Sequence, residues 1–241
     1  MNISKLSILI PAYNEEKTIE KILDKIRDIE WPFQIVKELI IVNDCSKDNT
    51  ERAILNYISS NPTMDIKYHI HPINMGKGAA IHTAIRHATG DFVIIQDADL
   101  EYDPREYSLL LQPVIEGFAD VVYGSRFMGG NPHRILFFWH SIGNKLITFF
   151  CNMFSNLNLS DIETCYKLFN RDILQQIHLK EKRFGFEPEV TIKISRIPRI
   201  RIYEVGISYY GRTYAEGKKI SARDGFRAFY CILKYGLFSS K

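Results

Sequence analysis

The chain has 241 residues, of which 46% are hydrophobic, 24% charged and 12% aromatic. That mixture excludes a disordered tail, a collagen-like repeat and a low-complexity scaffold, and it supplies a full-sized core. The net charge of +3 is unevenly spread: Lys and Arg outnumber Asp and Glu 14 to 6 over residues 180–241 and are outnumbered 17 to 22 before them, which points to an anionic ligand or membrane surface near the basic end and is too small and local a surplus for nucleic acid.

Apolar, β-branched runs recur at Leu6–Ile10, Glu38–Val42, Ile66–Ile70, Phe92–Gln96 and Ala119–Gly124. Helical patterns lie between them at Glu15–Asp28, Thr50–Ser59, Gly78–Ala88 and Pro104–Glu116. Asp103-Pro104 and Asp48-Asn49-Thr50 carry helix-start chemistry. Strands alternating with helices predict right-handed βαβ units, a mostly parallel sheet, and ligands at the carboxyl ends of its strands.

After Gly130-Asn131-Pro132 the pattern changes. An aromatic-rich helix over 135–154 leads to a polar segment, Ser155–Glu163, and a short strand, Tyr166–Phe169. Helix follows around Glu189–Arg196, then an alternating strand at Ile200–Ile207, a basic loop at Gly211–Lys219 and a last helix at Ser221–Tyr235. Neither an internal repeat nor a linker is visible. The expectation is one continuous α/β domain over 1–220, with halves 1–125 and 126–220, and a C-terminal amphipathic helix over 221–241.

Ile135–Phe154 is apolar enough to suggest a membrane span, but His140, Asn144 and Lys145 sit in its middle. A lysine at the centre of a span is costly, so this helix is expected to lie against protein or on a membrane surface. The apolar run Leu6–Ala12 is followed by Asn14-Glu15-Glu16 where a signal-peptide cleavage site would stand. Cys45, Cys151, Cys165 and Cys231 form no C-x-x-C pair and read as cytosolic thiols.

The strand ends carry Pro11-Ala12-Tyr13-Asn14-Glu15, Asn43-Asp44, Gln96-Asp97-Ala98-Asp99-Leu100-Glu101 and Gly124-Ser125-Arg126. Two carboxylates two residues apart beyond a hydrophobic strand suit one hard cation, Mg²⁺ or Mn²⁺, that shields a departing diphosphate. Read otherwise, they are solvated aspartates capping the next helix, a duty Asp103 already fills. Tyr13 would lie against a nucleobase or pack in the fold, and Asp44 would accept from base or ribose or cap a helix. Asn74-Met75-Gly76-Lys77-Gly78 lacks the full phosphate-loop pattern and reads as a tight turn feeding a helix at the nucleotide crevice. No G-x-G-x-x-G follows the first strand, which argues against a dinucleotide oxidoreductase.

Taken in order, Ile8-Leu9-Ile10-Pro11-Ala12-Tyr13-Asn14-Glu15, Val42-Asn43-Asp44 with Ser46-x-Asp48-x-Thr50, Asn74-x-Gly76-x-Gly78, and Gly90-Asp91 running into Gln96-Asp97-Ala98-Asp99 resemble the family 2 glycosyltransferases of GT-A (Rossmann-like) fold. Asp97-Ala98-Asp99-Leu100 and Gly124-Ser125-Arg126 are most similar to the dolichol-phosphate or polyprenyl-phosphate mannosyl- and glucosyltransferase branch. The resemblance covers roughly residues 5–220. It implies a nucleoside diphosphate sugar donor of GDP-mannose or UDP-glucose type, a divalent metal, and inversion at the anomeric carbon. Carried over by position, Pro11, Tyr13, Glu15, Val42 and Asp44 would hold the nucleoside. Asp97 and Asp99, with the Ala98 backbone, would hold nucleotide and metal, with Glu101 beside the metal. Arg126, Arg212 and Lys218 would meet phosphate.

The chain lacks the Q-x-x-R-W of processive synthases, its only tryptophans being Trp31 and Trp139. A lipid-phosphate acceptor is already ionised and needs positioning and charge compensation from Asp99-bound metal, Arg126, Arg212 and Lys218. A saccharide hydroxyl needs a base, for which Asp161 or Glu163 is the candidate. Aromatic faces rimmed by cations in Ile135–Phe154 and Asp224–Phe238 favour the lipid and a peripheral place at the cytoplasmic face of a membrane, alone or beside an integral membrane partner. Burial in the core or in a homodimer is the competing use of those faces, and a non-catalytic partner subunit is the competing function.

Overall fold

The computed structural model describes residues 3–31, 34–129, 132, 134–135, 137–212 and 222–238. Among them the strands are β1 (Lys5–Ala12), β2 (Val36–Asn43), β3 (Asp65–Ile70), β4 (Phe92–Ile95), β5 (Val121–Ser125), β6 (Lys167–Asn170) and β7 (Ile202–Gly206). The helices are α1 (Ile19–Arg27), α2 (Thr50–Ser60), α3 (Lys77–His87), α4 (Tyr107–Ile115), α5 (Phe138–Ser155), α6 (Arg171–Gln176), α7 (Phe186–Ser195) and α8 (Ala222–Phe238). A short 3-10 turn at Pro104–Glu106 precedes α4, and the Asp103 side chain caps it by accepting from the Arg105 amide.

The strands form one seven-stranded sheet in the order β3-β2-β1-β4-β6-β5-β7. β1 pairs in parallel with β2 and β4, β2 with β3, and β5 with β7. The central strands are buried along almost their whole length (all of β4 and β5, and most of β1), as a sheet covered by helices on both faces requires. That is why they read in the sequence as continuous apolar runs. α1 meets the core through Ile19, Ile22, Leu23 and Ile26, a single stripe at helical spacing.

One strand breaks the parallel pattern. β6 is antiparallel to both β4 and β5, so the segment before it, Asp161–Tyr166, returns to the carboxyl edge of the sheet. Residues from both halves of the chain therefore converge on one edge. α6 was not anticipated: it is six residues long and too short for a periodic signal. Helix α7 starts at Phe186, ahead of the expected Glu189, because Gly185 opens it and Pro188 is accommodated in its first turn.

α5, α7 and α8 pack together. The inner face of α8 is buried through Ala228, Cys231, Ile232 and Tyr235, while Phe226, Tyr230, Leu237 and Phe238 are exposed. Phe138, Trp139, Leu146, Phe149 and Met153 are exposed on α5. Among the described residues no helix is long and apolar enough to cross a membrane.

Candidate active site

The ends of β1, β2, β4 and β5, the segment before β6, the start of α7 and the residues after β7 enclose a cleft of about 320 Å³. Of the residues singled out in the sequence, Pro11, Tyr13, Glu15, Asp44, Asp97, Ala98, Asp99, Glu101, Arg126, Glu163 and Arg212 line it. Val42 does not: it is fully buried inside β2. Lys218 lies outside the described residues.

Asp44 follows β2 and is 2% exposed. Its Oδ1 accepts from the Met75 amide at 2.9 Å and faces His71 Nδ1 at 2.7 Å, and its Oδ2 accepts from the Gly76 amide at 2.7 Å. This carboxylate thereby fixes the turn that opens α3. Gly76 itself has φ +98°, and a Cβ on it would lie 2.5 Å from the Lys182 carbonyl, so only glycine fits.

The turn delivers Lys77, whose Nζ lies 2.8 Å from Asp97 Oδ1 and 3.7 Å from Glu187 Oε1. Burial alone would lower the Lys77 ammonium; Asp97 and Glu187 outweigh it and hold its pKa well above the ordinary value. On the other side Arg212 reaches Asp99 Oδ2 at 2.8 Å and Glu15 Oε1 at 3.3 Å. The two acids beyond β4 thus each face a cation from a different part of the chain.

Negative charge still exceeds positive at this point. Burial, and then the charges of Asp97 and Glu101, push the Asp99 carboxyl up to about 7. Asp97 and Asp99 offer hard oxygen donors in a site short of positive charge, so the donor set fits Mg²⁺ or Mn²⁺. Among the described residues no three His, Cys, Asp or Glu side chains form a complete metal cage. Glu101, expected beside the metal, lines the same cleft, and its Oε1 accepts from the Arg212 amide at 2.7 Å and its Oε2 from Tyr209 Oη at 2.9 Å. These bonds tie Glu101 to the segment carrying Arg212.

Arg126, expected to meet phosphate, is closed on Asp161. Its Nε donates to Asp161 Oδ2 at 2.6 Å and its Nη2 to Oδ1 at 2.8 Å. Asp161 is fully buried, and Asn144 also donates to it at 3.3 Å. Both Asp161 oxygens are thus occupied by donors from Arg126 and Asn144. Glu163 is different. Its carboxyl is pushed up to about 8 by burial and by the neighbouring charge of Glu187, and its Oε1 is buried without a hydrogen-bond partner among the described residues.

Three charged lining residues were given no role by sequence reasoning. Lys77 belongs to Asn74-Met75-Gly76-Lys77-Gly78, read as a turn feeding a helix at the nucleotide crevice with no role for the lysine itself. Glu187 belongs to Phe186-Glu187-Pro188-Glu189, where a proline obscured the helical start. Arg183 lines the cleft from the loop before α7. No spacing rule connects them to Asp97, because α7 joins the site only through packing.

A protein-family model described as Glycosyl transferase family 2 matches residues 7–178. The chain belongs to glycosyl transferase family 2. Among its family relatives, a dolichyl-phosphate beta-glucosyltransferase of Trichomonas vaginalis is 31% identical over 215 residues, spanning 80% of this chain and 64% of that protein. A UDP-N-acetylglucosamine–dolichyl-phosphate N-acetylglucosaminyltransferase of Methanococcus voltae is 26% identical over 244 residues, spanning 94% of both. The chain thus spans a little under two thirds of the first of these relatives and nearly all of the second. Glucosyl-3-phosphoglycerate synthase of Mycobacterium tuberculosis, solved with Mn²⁺, UDP and glucosyl-3-phosphoglycerate, superposes with a TM-score of 0.74 at 18% identity, covering 99% of this chain and 82% of that one. The same enzyme has been solved with Mn²⁺ and UDP-glucose (TM-score 0.73, 18% identity, covering 99% and 81%). The fold of this family 2 chain is GT-A: one α/β domain with a mostly parallel sheet flanked by helices.

Proposed function

We propose that this chain transfers a hexose, with inversion, from a nucleoside diphosphate sugar to a polyprenyl or dolichyl phosphate. The observation that carries the reading is the pairing of Asp97 with Lys77 and of Asp99 with Arg212 at the carboxyl edge of the sheet. Two acids and two cations held in register make a receptacle for a diphosphate and a divalent ion together. The family relatives named for dolichyl-phosphate transfer support the acceptor class.

Asp97 and Asp99 would hold Mg²⁺ or Mn²⁺, which when bound supplies Lewis-acid stabilisation of the departing diphosphate. Lys77 and Arg212, now paired with those carboxylates, would exchange them for phosphate oxygens. Pro11 and Tyr13 would flank the base, and Asp44 would hold both the turn and the nucleoside. The acceptor phosphate is ionised near neutral pH and needs no base; what it needs is an in-line position in a cleft with fixed cations. Glu163 suits a base role poorly, since a carboxyl held at about 8 carries its proton at pH 7. The exposed aromatic faces of α5 and α8, the latter in the basic part of the chain, would rest on an anionic membrane surface where such an acceptor resides.

A thermal-shift screen tests the donor half of this reading. A ligand bound by the native state alone raises stability, so UDP or GDP with Mn²⁺ should raise the melting temperature, and Asp99→Asn should remove the metal-dependent part. An Asp99→Asn protein with an unchanged shift would show the metal assignment to be wrong. A non-catalytic partner subunit would bind without ever consuming a nucleotide sugar.

A further inference from the structure

Among the described residues, two acids lining the cleft keep a buried oxygen without a partner, while the neighbouring acids are held on both oxygens. Asp161 is held by Arg126 and Asn144. Glu189 is held by Lys193 and by the Lys180 and Glu181 amides. The exceptions are Glu187 and Glu163. Glu187 is 4% exposed, and its Oε2, like Glu163 Oε1, has no hydrogen-bond partner among the described residues. Both residues line the cleft. Leaving a buried carboxylate oxygen without a donor is unfavourable enough that native proteins rarely do it without a functional reason.

The neighbours say what kind of donor is missing. Lys77 stands 3.7 Å from Glu187 Oε1. Lys167, fully buried, donates its Nζ to the Thr164 carbonyl and lies 5.3 Å over the Tyr123 ring, and its charge acts on both Glu187 and Glu163. Positive charge is therefore already supplied from below and from the side. What is lacking is O–H or N–H donors from the cleft itself, which fits a neutral polyhydroxyl group better than another cation. Position agrees: Lys77 bridges Asp97 to Glu187, so Glu187 lies next to the place where a diphosphate would end and its sugar begin.

The geometry points to Glu163 and Glu187 as the pair that accepts hydrogen bonds from the hydroxyls of the transferred hexose and selects which hexose is taken. This rests on the donor reading proposed above and adds the residues that read the sugar. Glu187 is suited to selection because it stands in the first turn of α7, between Phe186, 1% exposed, and Pro188, and so cannot follow a misplaced hydroxyl. The raised Glu163 carboxyl, sharing its environment with Glu187, can also donate to a sugar oxygen, which a pair of fully ionised acids cannot.

The test compares bare and sugar-bearing nucleotides by isothermal titration calorimetry in the presence of Mn²⁺, using UDP, UDP-glucose, GDP and GDP-mannose with the wild-type chain, Glu187→Gln and Glu163→Gln. The pair of nucleotides that wild type binds is then carried forward with donor analogues each lacking one hydroxyl. The expected result is about a tenfold or greater loss for the sugar nucleotide in Glu187→Gln, as for a hydrogen bond to a charged group, with the bare nucleotide changed by about twofold at most. One deoxy analogue should cost wild type affinity and cost the variant nothing further, which a merely structural role would not produce. Equal losses for bare and sugar-bearing nucleotides, or no loss for either, overturn the assignment and leave the transferase reading standing. Wild type that binds neither UDP-glucose nor GDP-mannose overturns both. Glu163→Gln, at a half-buried position, repeats the test should Glu187→Gln melt before titration.

Discussion

The attachment of α8 gives the sharpest stability prediction. Glu181 is 4% exposed and accepts four hydrogen bonds from this one helix: Arg227 Nε at 3.0 Å and Nη2 at 2.6 Å, Lys234 Nζ at 3.1 Å, and Tyr235 Oη at 2.8 Å. Removing one partner from a buried ionic network costs about 3–5 kcal/mol. The Arg227 and Lys234 side chains are 51% and 36% exposed, so water screens their share, and Gln at this position keeps one acceptor oxygen. Glu181→Gln is therefore expected to cost about 2 kcal/mol, or about 4–8 °C in melting temperature for a chain of this size. Burial opposes ionisation of Glu181, but the bonds from Arg227, Tyr235 and Lys234 prevail and hold its carboxyl at about 2. A depressed acid stabilises the fold above its unfolded pKa of about 4.3 and loses that contribution as pH falls towards the folded value, so the gap between wild type and variant should narrow below about pH 4. Calorimetric melts at pH 7 and pH 3, with hydrogen exchange of the α8 amides, read both effects. A variant that melts within about 1 °C of wild type at pH 7, against the expected 4–8 °C, refutes the strength assigned to this attachment. So does one whose α8 amides keep full protection.

Three further outcomes follow from the cleft and its surroundings. Gly78→Ala would place a Cβ 2.4 Å from the Glu181 carbonyl and Gly76→Ala one at positive φ, so each should cost about 2–4 kcal/mol, read as an earlier chemical-denaturation midpoint; a midpoint within error of wild type would contradict the packing of the 181–185 loop on α3. Because burial and the charges of Asp97 and Glu101 hold the Asp99 carboxyl at about 7, a metal must displace its proton, and Mn²⁺ affinity should rise about tenfold between pH 6 and pH 8 and then level off; a flat profile in calorimetric titrations would remove Asp99 from the metal's ligands. Trp139→Glu with Phe226→Glu should abolish co-sedimentation with vesicles rich in anionic phospholipid at low salt, and wild type that stays in the supernatant there would count against the membrane surface.

Much of the sheet was legible in the sequence because buried parallel strands leave unbroken apolar runs and their helices leave stripes such as Ile19, Ile22, Leu23 and Ile26. Asp97, Asp99 and Asp44 stood out because each immediately follows such a run, where an α/β sheet keeps its ligands. The direction of β6 was not legible, since four residues carry no mark of parallel or antiparallel pairing. That one reversal decides which residues reach the site: it brings Asp161 and Glu163 to the carboxyl edge. The partners of the acids were equally hidden. That Arg126 closes on Asp161, that Glu101 clamps Tyr209 and Arg212, and that Glu187 reaches Lys77 are consequences of packing between segments separated by 35 to 111 residues. Local spacing says nothing about them.

The proposed chemistry moves a hexose from a diphosphate to a lipid phosphate at Asp97 and Asp99. Phosphorus NMR of the full chain with UDP-glucose or GDP-mannose, a short polyprenyl phosphate and Mg²⁺ or Mn²⁺ tests it most directly. Nucleoside diphosphate and a new hexosyl phosphodiester should appear in equal amounts, with the anomeric configuration inverted and both signals lost in Asp99→Asn. A donor that stays intact with every combination, or that breaks down without any phosphodiester forming, contradicts it.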